Sequence, residues 1–267
     1  MSDDSVESAT PRGTRLLRIA GHIRDQNWTA IGIDFVIVVV GVFFGIQVSN
    51  WNQERQARGQ ERELLGRLKL EIQQNAAAAQ EKRRFFDKVY ASADRAYAFL
   101  DNDESCSADC WQRVVDAFYA SQWRDLRPTR DAFDEMERLG LPRDTGLKVA
   151  LINYYGLYES MVSITSDLPA YRAEVRSLIP PQVQLHLWRQ CHRIEGMTEL
   201  LAADCPAALG EAESRELLEQ LRTHATLRPA LASWMSTVAL TQPALDQQAL
   251  GAETALVSID AELGEGP

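Results

Sequence analysis

The chain has little positive charge, and almost none of it is lysine. Only Lys69, Lys82, Lys88 and Lys148 are lysines among its 28 basic residues, against 38 acidic ones, and the formal net charge is -10. Binding to nucleic-acid phosphates requires a basic face that displaces counterions, and no stretch of the sequence supplies one. The composition therefore excludes a nucleic-acid partner, while 45% hydrophobic residues leave room for a sizeable core.

The sequence also lacks the motifs that carry common enzyme chemistry. It contains no glycine-rich phosphate loop after a strand, no alternating strand pattern and no internal repeat. The acidic residues Asp131, Asp134, Glu135 and Glu137 have no histidine or serine nucleophile arranged around them, so a solvated helix face is the better interpretation. We therefore expect no enzyme, no catalytic residue and no cofactor, and a hydrolase ranks last among the function classes considered.

One long apolar run is present, WTAIGIDFVIVVVGVFFGIQVSNW, over residues 28–51. The roughly 22 residues between Trp28 and Trp51 rise by roughly 33 Å in a helix, close to the hydrocarbon thickness of about 30 Å. Trp28 and Trp51 stand where tryptophans prefer to lie, at the two membrane interfaces, and no small-residue cleavage site follows. The run predicts a retained transmembrane anchor in the lipid bilayer, although the shorter uninterrupted stretch Phe35–Ile46 would also suit a buried core helix.

Asp34 is the one charged residue in the interior of this run. At 100° per residue, Gly41 and Gly45 lie within about 20° of Asp34 around the helix, so the three residues share a face. Gly41 and Gly45 form a Gly-x-x-x-Gly pair, which allows two membrane helices to approach closely. Two interpretations stay open: an acid near the headgroups, or an acid at a helix–helix contact in a homodimer or with another membrane protein.

The cysteines favour an orientation that the flanking charges leave undecided. Arginines and lysines are similarly frequent on both sides of the span, so the positive-inside rule does not choose. All four cysteines, Cys106, Cys110, Cys191 and Cys205, follow the span, and an even set suits an oxidising compartment. The simplest of three connectivities pairs Cys106 with Cys110 and Cys191 with Cys205. We therefore predict a cytoplasmic N-terminus and a periplasmic domain, with four free cysteines in a cytosolic domain as the alternative.

Two segments carry a resemblance to a known family. Asp34, Gln47 and the run Asn50-Trp51-Asn52-x-Glu54-Arg55 are similar to the N-terminal anchor of a family of uncharacterised bacterial single-pass membrane proteins. Residues 131–155, DAFDEMERLGLPRDTGLKVALINYY, resemble a second segment of that family. Family members commonly carry Glu at the position of Asp34. The resemblance covers about a fifth of the chain and implies an inner-membrane anchor with a helical domain, but no activity.

The remainder of the chain reads as helices. Apolar residues recur at helical spacing after the span, and prolines and glycines interrupt them. The predicted fold is all-α: a transmembrane helix continuing into a long helix, followed by an irregular antiparallel helical bundle. The predicted domains are a polar tail (1–27), the transmembrane helix (28–51), a polar juxtamembrane stalk (52–62) and the bundle (63–267). A long helix is predicted over 52–100, and further helices over 110–123, 130–139, 147–178, 212–223 and 229–263, the last kinked at Pro243, with 182–203 broken.

Two further clusters of residues, one of histidines and cysteines and one of tyrosines, could form a binding site or part of the core. His186 and His192 stand near Cys191 and Cys205 and could be metal ligands, but the spacing lacks paired Cys-x-x-Cys, so a disulfide with incidental histidines is preferred and no metal is expected. Tyr154, Tyr155 and Tyr158 suit a helix core better than a ligand pocket.

Two functions from different classes remain. The first is a membrane-anchored, non-catalytic interaction or scaffold module of the bacterial envelope. The alternative is a periplasmic sensory bundle that binds a small molecule between its helices and works through a partner protein. A closed core would disfavour the sensor, whereas buried polar residues contributed by facing helices would favour it.

Overall fold

The computed structural model describes residues 28–195, 198–202 and 204–264. Its described part is all-α apart from one short strand pair, which confirms the predicted fold class. The predicted polar tail, residues 1–27, lies outside the described residues. The chain divides into two units, residues 1–60 and 61–267. The helices are α1 (Trp28–Leu100), α2 (Cys110–Ala120), α3 (Asp131–Arg138), α4 (Thr145–Thr165), α5 (Ala170–Leu178), α6 (Pro181–His186), α7 (Glu211–Thr223) and α8 (Leu227–Leu263).

The first unit contains the apolar part of α1. One helix among the described residues is long and apolar enough to cross a membrane, and its most apolar 18-residue window has a mean hydropathy of 2.4 with none of it buried. Large side chains from Ile31 to Val48 are all exposed. The polar segment that follows is also exposed, and Glu54 pairs with Arg58 one turn later at 2.8 Å. The apolar part of α1 thus has the length and the exposed apolar surface that a membrane span requires.

The second unit has two apolar core clusters, and α1 contributes to both. Residues 64, 65, 68 and 72 repeat at helical spacing, so one stripe of α1 is buried against α3, α4 and α8. Further along α1, Phe85, Phe86 and Val89 enter a larger cluster with α2, α5, α7 and the first half of α8. A Cβ at Gly251 of α8 would lie 3.4 Å from Leu157 Cδ1 of α4, so these helices pack closely there. The apolar stripe of α2 is buried in the larger cluster and consists of Trp111, Val114, Val115 and Phe118.

The single helix predicted over 147–178 is wrong. The structure has α4 ending at Thr165 and α5 beginning at Ala170. Pro169 explains the break, because its ring would clash with the carbonyl four residues earlier, that of Thr165, and it has no amide hydrogen to continue the helix. The start of α4 is fixed by Asp144, whose side chain accepts the amide hydrogen of Leu147 at 2.6 Å.

The region 182–203, predicted to be broken, contains more regular structure than the sequence indicated. α6 passes into a π-helical turn, Leu187–Cys191, which is followed by two short antiparallel strands, β1 (His192–Glu195) and β2 (Thr198–Leu201). In register, His192 pairs with Leu201. The amide of Ala202 donates to the carbonyl of Cys191 at 2.9 Å, which brings the strand pair back to the cysteine that precedes it. Each strand has only four residues, too few for an alternation of apolar and polar residues to be recognised in the sequence.

Candidate functional site

The face predicted for helix–helix contact is open in the described structure. Asp34, Gly41 and Gly45 are exposed, and an added Cβ at either glycine would meet nothing within 4 Å. Trp51 is exposed, as an interface anchor would be, while the placement of the Trp28 ring lies outside the described residues. The three residues are therefore accessible to a second helix, and their pairing stays a prediction.

The cysteines pair as the simplest connectivity predicts. Cys106 bonds to Cys110 with a Cα–Cα distance of 5.8 Å, and Cys191 bonds to Cys205 with a Cα–Cα distance of 5.1 Å. Trp111 links the two pairs, because it directly follows Cys110 and its indole nitrogen donates to the Cys205 carbonyl at 3.1 Å. Both disulfides thus tie the loops at one end of the larger core cluster.

The metal interpretation of the histidine and cysteine cluster is not favoured. His186, Cys191 and Cys205 do place ligand atoms within 4.8 Å of one another, but both sulfurs belong to the disulfide. His186 Nε2 donates to the Pro206 carbonyl at 2.8 Å. The ring of His192 instead packs against Trp188, with 4.8 Å between centroids, outside this cluster.

A row of polar side chains on α1 holds the segment that connects α2 to α3. Glu71, Asn75 and Lys82 follow one another at helical spacing along one side of α1. The Glu71 carboxylate accepts the amide hydrogen of Ala132 at 2.7 Å, in the first turn of α3. The Asn75 side chain bonds both the amide and the carbonyl of Thr129, at 2.9 and 2.7 Å. Lys82 Nζ donates to the carbonyl of Arg127 at 3.3 Å, so the connector is anchored at three points.

The three tyrosines of α4 pack into the smaller core cluster, as the sequence predicted. The ring of Tyr155 stacks on Phe133 at 4.2 Å, and its hydroxyl donates to Glu71 at 2.6 Å. Burial and this hydrogen bond raise the pKa of Tyr155. The Tyr158 hydroxyl donates to the backbone carbonyl of Asn75 at 3.3 Å. These contacts join α4, α1 and α3 through buried polar groups, the arrangement that favours a ligand-binding bundle.

Two adjoining cavities open beside this polar row, and together they are called the basic pocket. The larger, about 290 Å³, is lined mainly by apolar surface; the smaller, about 180 Å³, is more polar. Arg127, Pro128 and Tyr158 line both. The larger cavity is completed by Arg130, Tyr155, Glu159 and Val162, and the smaller by Asn75, Ala78, Glu81, Lys82, Arg124 and Thr129.

The cations of the basic pocket differ in how far they are already neutralised. Arg130 is held by Asp134 at 2.7 Å and by Glu159 at 2.9 Å, and these hydrogen bonds raise its pKa. The guanidinium of Arg127 lies 3.7 Å from the Asp125 carboxylate, and its side chain is 71% exposed. Burial first, and then the charge of Arg124, lower the pKa of Lys82 to about 8. The pocket therefore holds a lysine whose charge is opposed by its surroundings.

The acidic residues of α3 do not form a paired-carboxylate site. Asp134 contacts Arg130, and Glu135 instead bonds Arg67 of α1 at 2.6 Å. Glu137 lies 3.7 Å from Arg130, and Asp131 is exposed. Three of the four carboxylates contact arginines and Asp131 faces solvent, in agreement with the predicted solvated face.

Sequence reasoning missed Glu71, Asn75, Lys82 and the arginines of the connector. One signal was available: Glu71 and Asn75 are polar residues directly beside the apolar stripe of Leu68 and Ile72, at positions that a helix buries. Polar groups in such positions require partners from elsewhere in the fold. The arginines of residues 124–130 had no periodic pattern that would place them.

Comparisons with known proteins do not assign the chain to a family. No family model, no curated protein and no solved structure matches this chain. The resemblance to a family of bacterial single-pass membrane proteins therefore stays a prediction.

Proposed function

We propose that the chain is a membrane-anchored, non-catalytic module of the bacterial envelope that acts by association with other membrane helices. The observation that carries the proposal is the continuous exposure of the apolar side chains from Ile31 to Val48. An apolar surface of this length is stable only when lipid or another helix covers it. The resemblance of the anchor to bacterial single-pass proteins supports the inner membrane as its location.

The associating surface in this proposal is the face of Asp34, Gly41 and Gly45. The glycines leave room for a second backbone, since nothing lies within 4 Å of either added Cβ. A carboxyl group facing lipid at the middle of a span costs about 2.5–3.5 kcal/mol on insertion scales and less near the interface. Contact with a homodimeric copy or with another membrane protein relieves this cost.

The bundle is placed in the periplasm by the same proposal. Support comes from two cysteine pairs at disulfide distance, because such bonds persist in oxidising compartments. A reporter enzyme that is active only outside the cytoplasm, fused after residue 267, tests this orientation. An active fusion is expected; activity only when the reporter precedes residue 1 contradicts the orientation.

Association is tested with the full chain in lipid vesicles, by energy transfer between two fluorescently labelled populations. Gly41→Ile combined with Gly45→Ile is expected to lower the transfer, because two branched side chains prevent close approach. Gly32→Ile is the matched control, since Gly32 lies about 160° from Asp34 around the helix. Equal transfer in the double variant and the control would show that the glycines are incidental.

The second candidate function is the small-molecule sensory bundle that works through a partner protein. It is favoured by the basic pocket and by the buried polar groups that α1, α3 and α4 direct toward one another. The two candidates are compatible, because a ligand in the bundle and association of the anchor involve different units of the chain.

A further inference from the structure

We propose that the basic pocket binds a small organic acid, with its apolar body in the larger cavity and its carboxylate between Lys82 and Arg127. This inference rests on the second candidate function, ligand binding by the bundle, and it names the class of ligand. It does not depend on the orientation or association of the membrane span, because every lining residue belongs to the second unit.

The volume and lining of the larger cavity limit the size of the apolar body that the ligand can have. Its volume of about 290 Å³ is near the lower limit for sites that enclose a small organic molecule. Pro128, Val162 and the tyrosines provide the apolar walls, and Tyr155 is held in place by stacking on Phe133. Walls that are already ordered lose little side-chain entropy on binding. The cavity therefore suits one ring or a short branched chain.

The charged residues that line the smaller cavity favour an acidic group on the ligand. Lys82, Arg124 and Arg127 line it together with one acid, Glu81, and Asp125 lies beside Arg127. Repulsion among cations that lie close together is relieved when an anion binds between them, and such a group attracts small anions at long range. Lys82 Nζ has three donor hydrogens and donates to the Arg127 carbonyl, so it can also donate to a carboxylate without losing that contact.

The two cavities meet at Tyr158, Pro128 and Arg127, where the carboxylate would join the apolar body. Inorganic phosphate alone would satisfy the cations but leave the larger, mainly apolar cavity unfilled. A neutral ring would fill that cavity but form no ion pair with Lys82 or Arg127. An organic acid satisfies both parts, which is why it is preferred to either.

Binding should be accompanied by proton uptake near the pKa of Lys82, about 8. A carboxylate beside the ammonium group favours its charged form and returns this pKa toward 10.5. The other charged or titratable groups that face Lys82 are Glu81 on α1, Arg124, Asp125 and Arg127 on the connector, and Tyr158 on α4. Lys82 is the group expected to take up the proton, because its pKa lies near this pH.

The test is calorimetric titration of the full chain, purified in a neutral detergent, with benzoate as the probe. Benzamide serves as the neutral isostere and inorganic phosphate as the anion without an apolar body. Benzoate is expected to bind with a dissociation constant between about 10 μM and about 1 mM, a range usual for ligands of this size. Measurement near pH 8 in two buffers of different ionisation enthalpy gives the number of protons taken up.

Two variants and their matched controls identify the site. Lys82→Gln and Arg127→Gln are expected to weaken benzoate binding about fivefold or more, since each removes a charge-assisted hydrogen bond, and Lys82→Gln should also abolish the proton uptake. The controls are Lys148→Gln and Arg138→Gln, two exposed residues that do not line the pocket. Circular dichroism confirms that each variant keeps its helices.

The outcomes separate the sources of binding. Equal affinity for benzoate and benzamide would show an apolar cavity without anion recognition, and binding of phosphate alone would show a simple anion site; either overturns the proposal. No benzoate binding at about 10 mM overturns it as well. Failure here would leave the association of the span unaffected, so the two proposals are judged separately.

Discussion

The carboxylate of Glu71 accepts a hydrogen bond of 2.6 Å from the hydroxyl of Tyr155, a residue 84 positions later in the chain. Its second oxygen accepts the amide hydrogen of Ala132 at 2.7 Å. Glu71 is 7% exposed, so this one side chain connects α1, α3 and α4 inside the smaller core cluster. Because the connector that bears Arg124, Arg127 and Arg130 ends at α3, Glu71 also fixes one end of the basic pocket.

Replacing Glu71 by Gln is expected to lower the free energy of unfolding by about 1–3 kcal/mol. In the variant the amide oxygen can still accept from Ala132, but the NH2 group then faces Tyr155, whose hydroxyl loses the carboxylate to which it donates. Chemical denaturation of the full chain, followed by tryptophan fluorescence, measures the change. The exposed Glu63→Gln is the control. Combining Glu71→Gln with Tyr155→Phe should cost less than the sum of the single changes, and full additivity would show that the two residues are not coupled.

Replacing Gln248 by Met is expected to stabilise the bundle. Gln248 is 1% exposed, and both polar atoms of its side chain lack a hydrogen-bond partner among the described residues. An unsatisfied buried polar group costs about 1–3 kcal/mol, and methionine has a similar shape without that cost. Thermal unfolding should therefore occur at a higher temperature in Gln248→Met than in the exposed control Gln247→Met. A lower unfolding temperature would indicate that the amide is satisfied.

The stability of the bundle should depend on pH through Lys82. Its pKa is lowered to about 8 in the folded protein, from 10.5, chiefly by burial. Below a pH of about 8 both folded and unfolded chains carry the charge, and the folded state bears the full cost of burying it. As pH rises from about 8 to about 10.5, the folded protein loses the proton first, so this cost disappears.

To isolate the contribution of Lys82, the free energies of unfolding of Lys82→Met and of the unchanged protein are measured by chemical denaturation at several pH values. The difference in free energy of unfolding, variant minus parent, is expected to fall by roughly 1–2 kcal/mol between pH of about 7 and about 10, after allowance for partial solvent screening. A difference that stays constant over this range would contradict the lowered pKa of Lys82.

The two disulfides should contribute unequally to stability. The Cys191–Cys205 bond closes a separation of 14 residues and the Cys106–Cys110 bond a separation of only 4. In the chain-entropy model the longer loop gives about 2–3 kcal/mol and the shorter one less. Replacing both Cys191 and Cys205 by serine should therefore destabilise the bundle more than replacing both Cys106 and Cys110. Thiol labelling of unreduced, denatured protein checks the pairing itself: four reactive thiols would refute both bonds and weaken the periplasmic assignment.

The sequence by itself determined the long apolar helix, the helical class and most helix ends, because these depend on local patterns. An apolar run of membrane length, a repeat of Leu64, Leu65 and Leu68, and the cysteine spacings can all be recognised without knowledge of distant residues. The one long helix that was predicted wrongly, 147–178, failed at Pro169, a local signal that the apolar periodicity on either side obscured.

Only the tertiary structure decided what the buried polar residues do. Asn75 meets Thr129 across 54 positions, and Glu71 meets Ala132 across 61. The connector between α2 and α3 has no periodicity of its own, so its path follows from these long-range hydrogen bonds, which a buried polar group must find wherever the fold supplies them. The basic pocket is a product of that path, because its cations come from α1 and the connector and its apolar walls from the connector and α4.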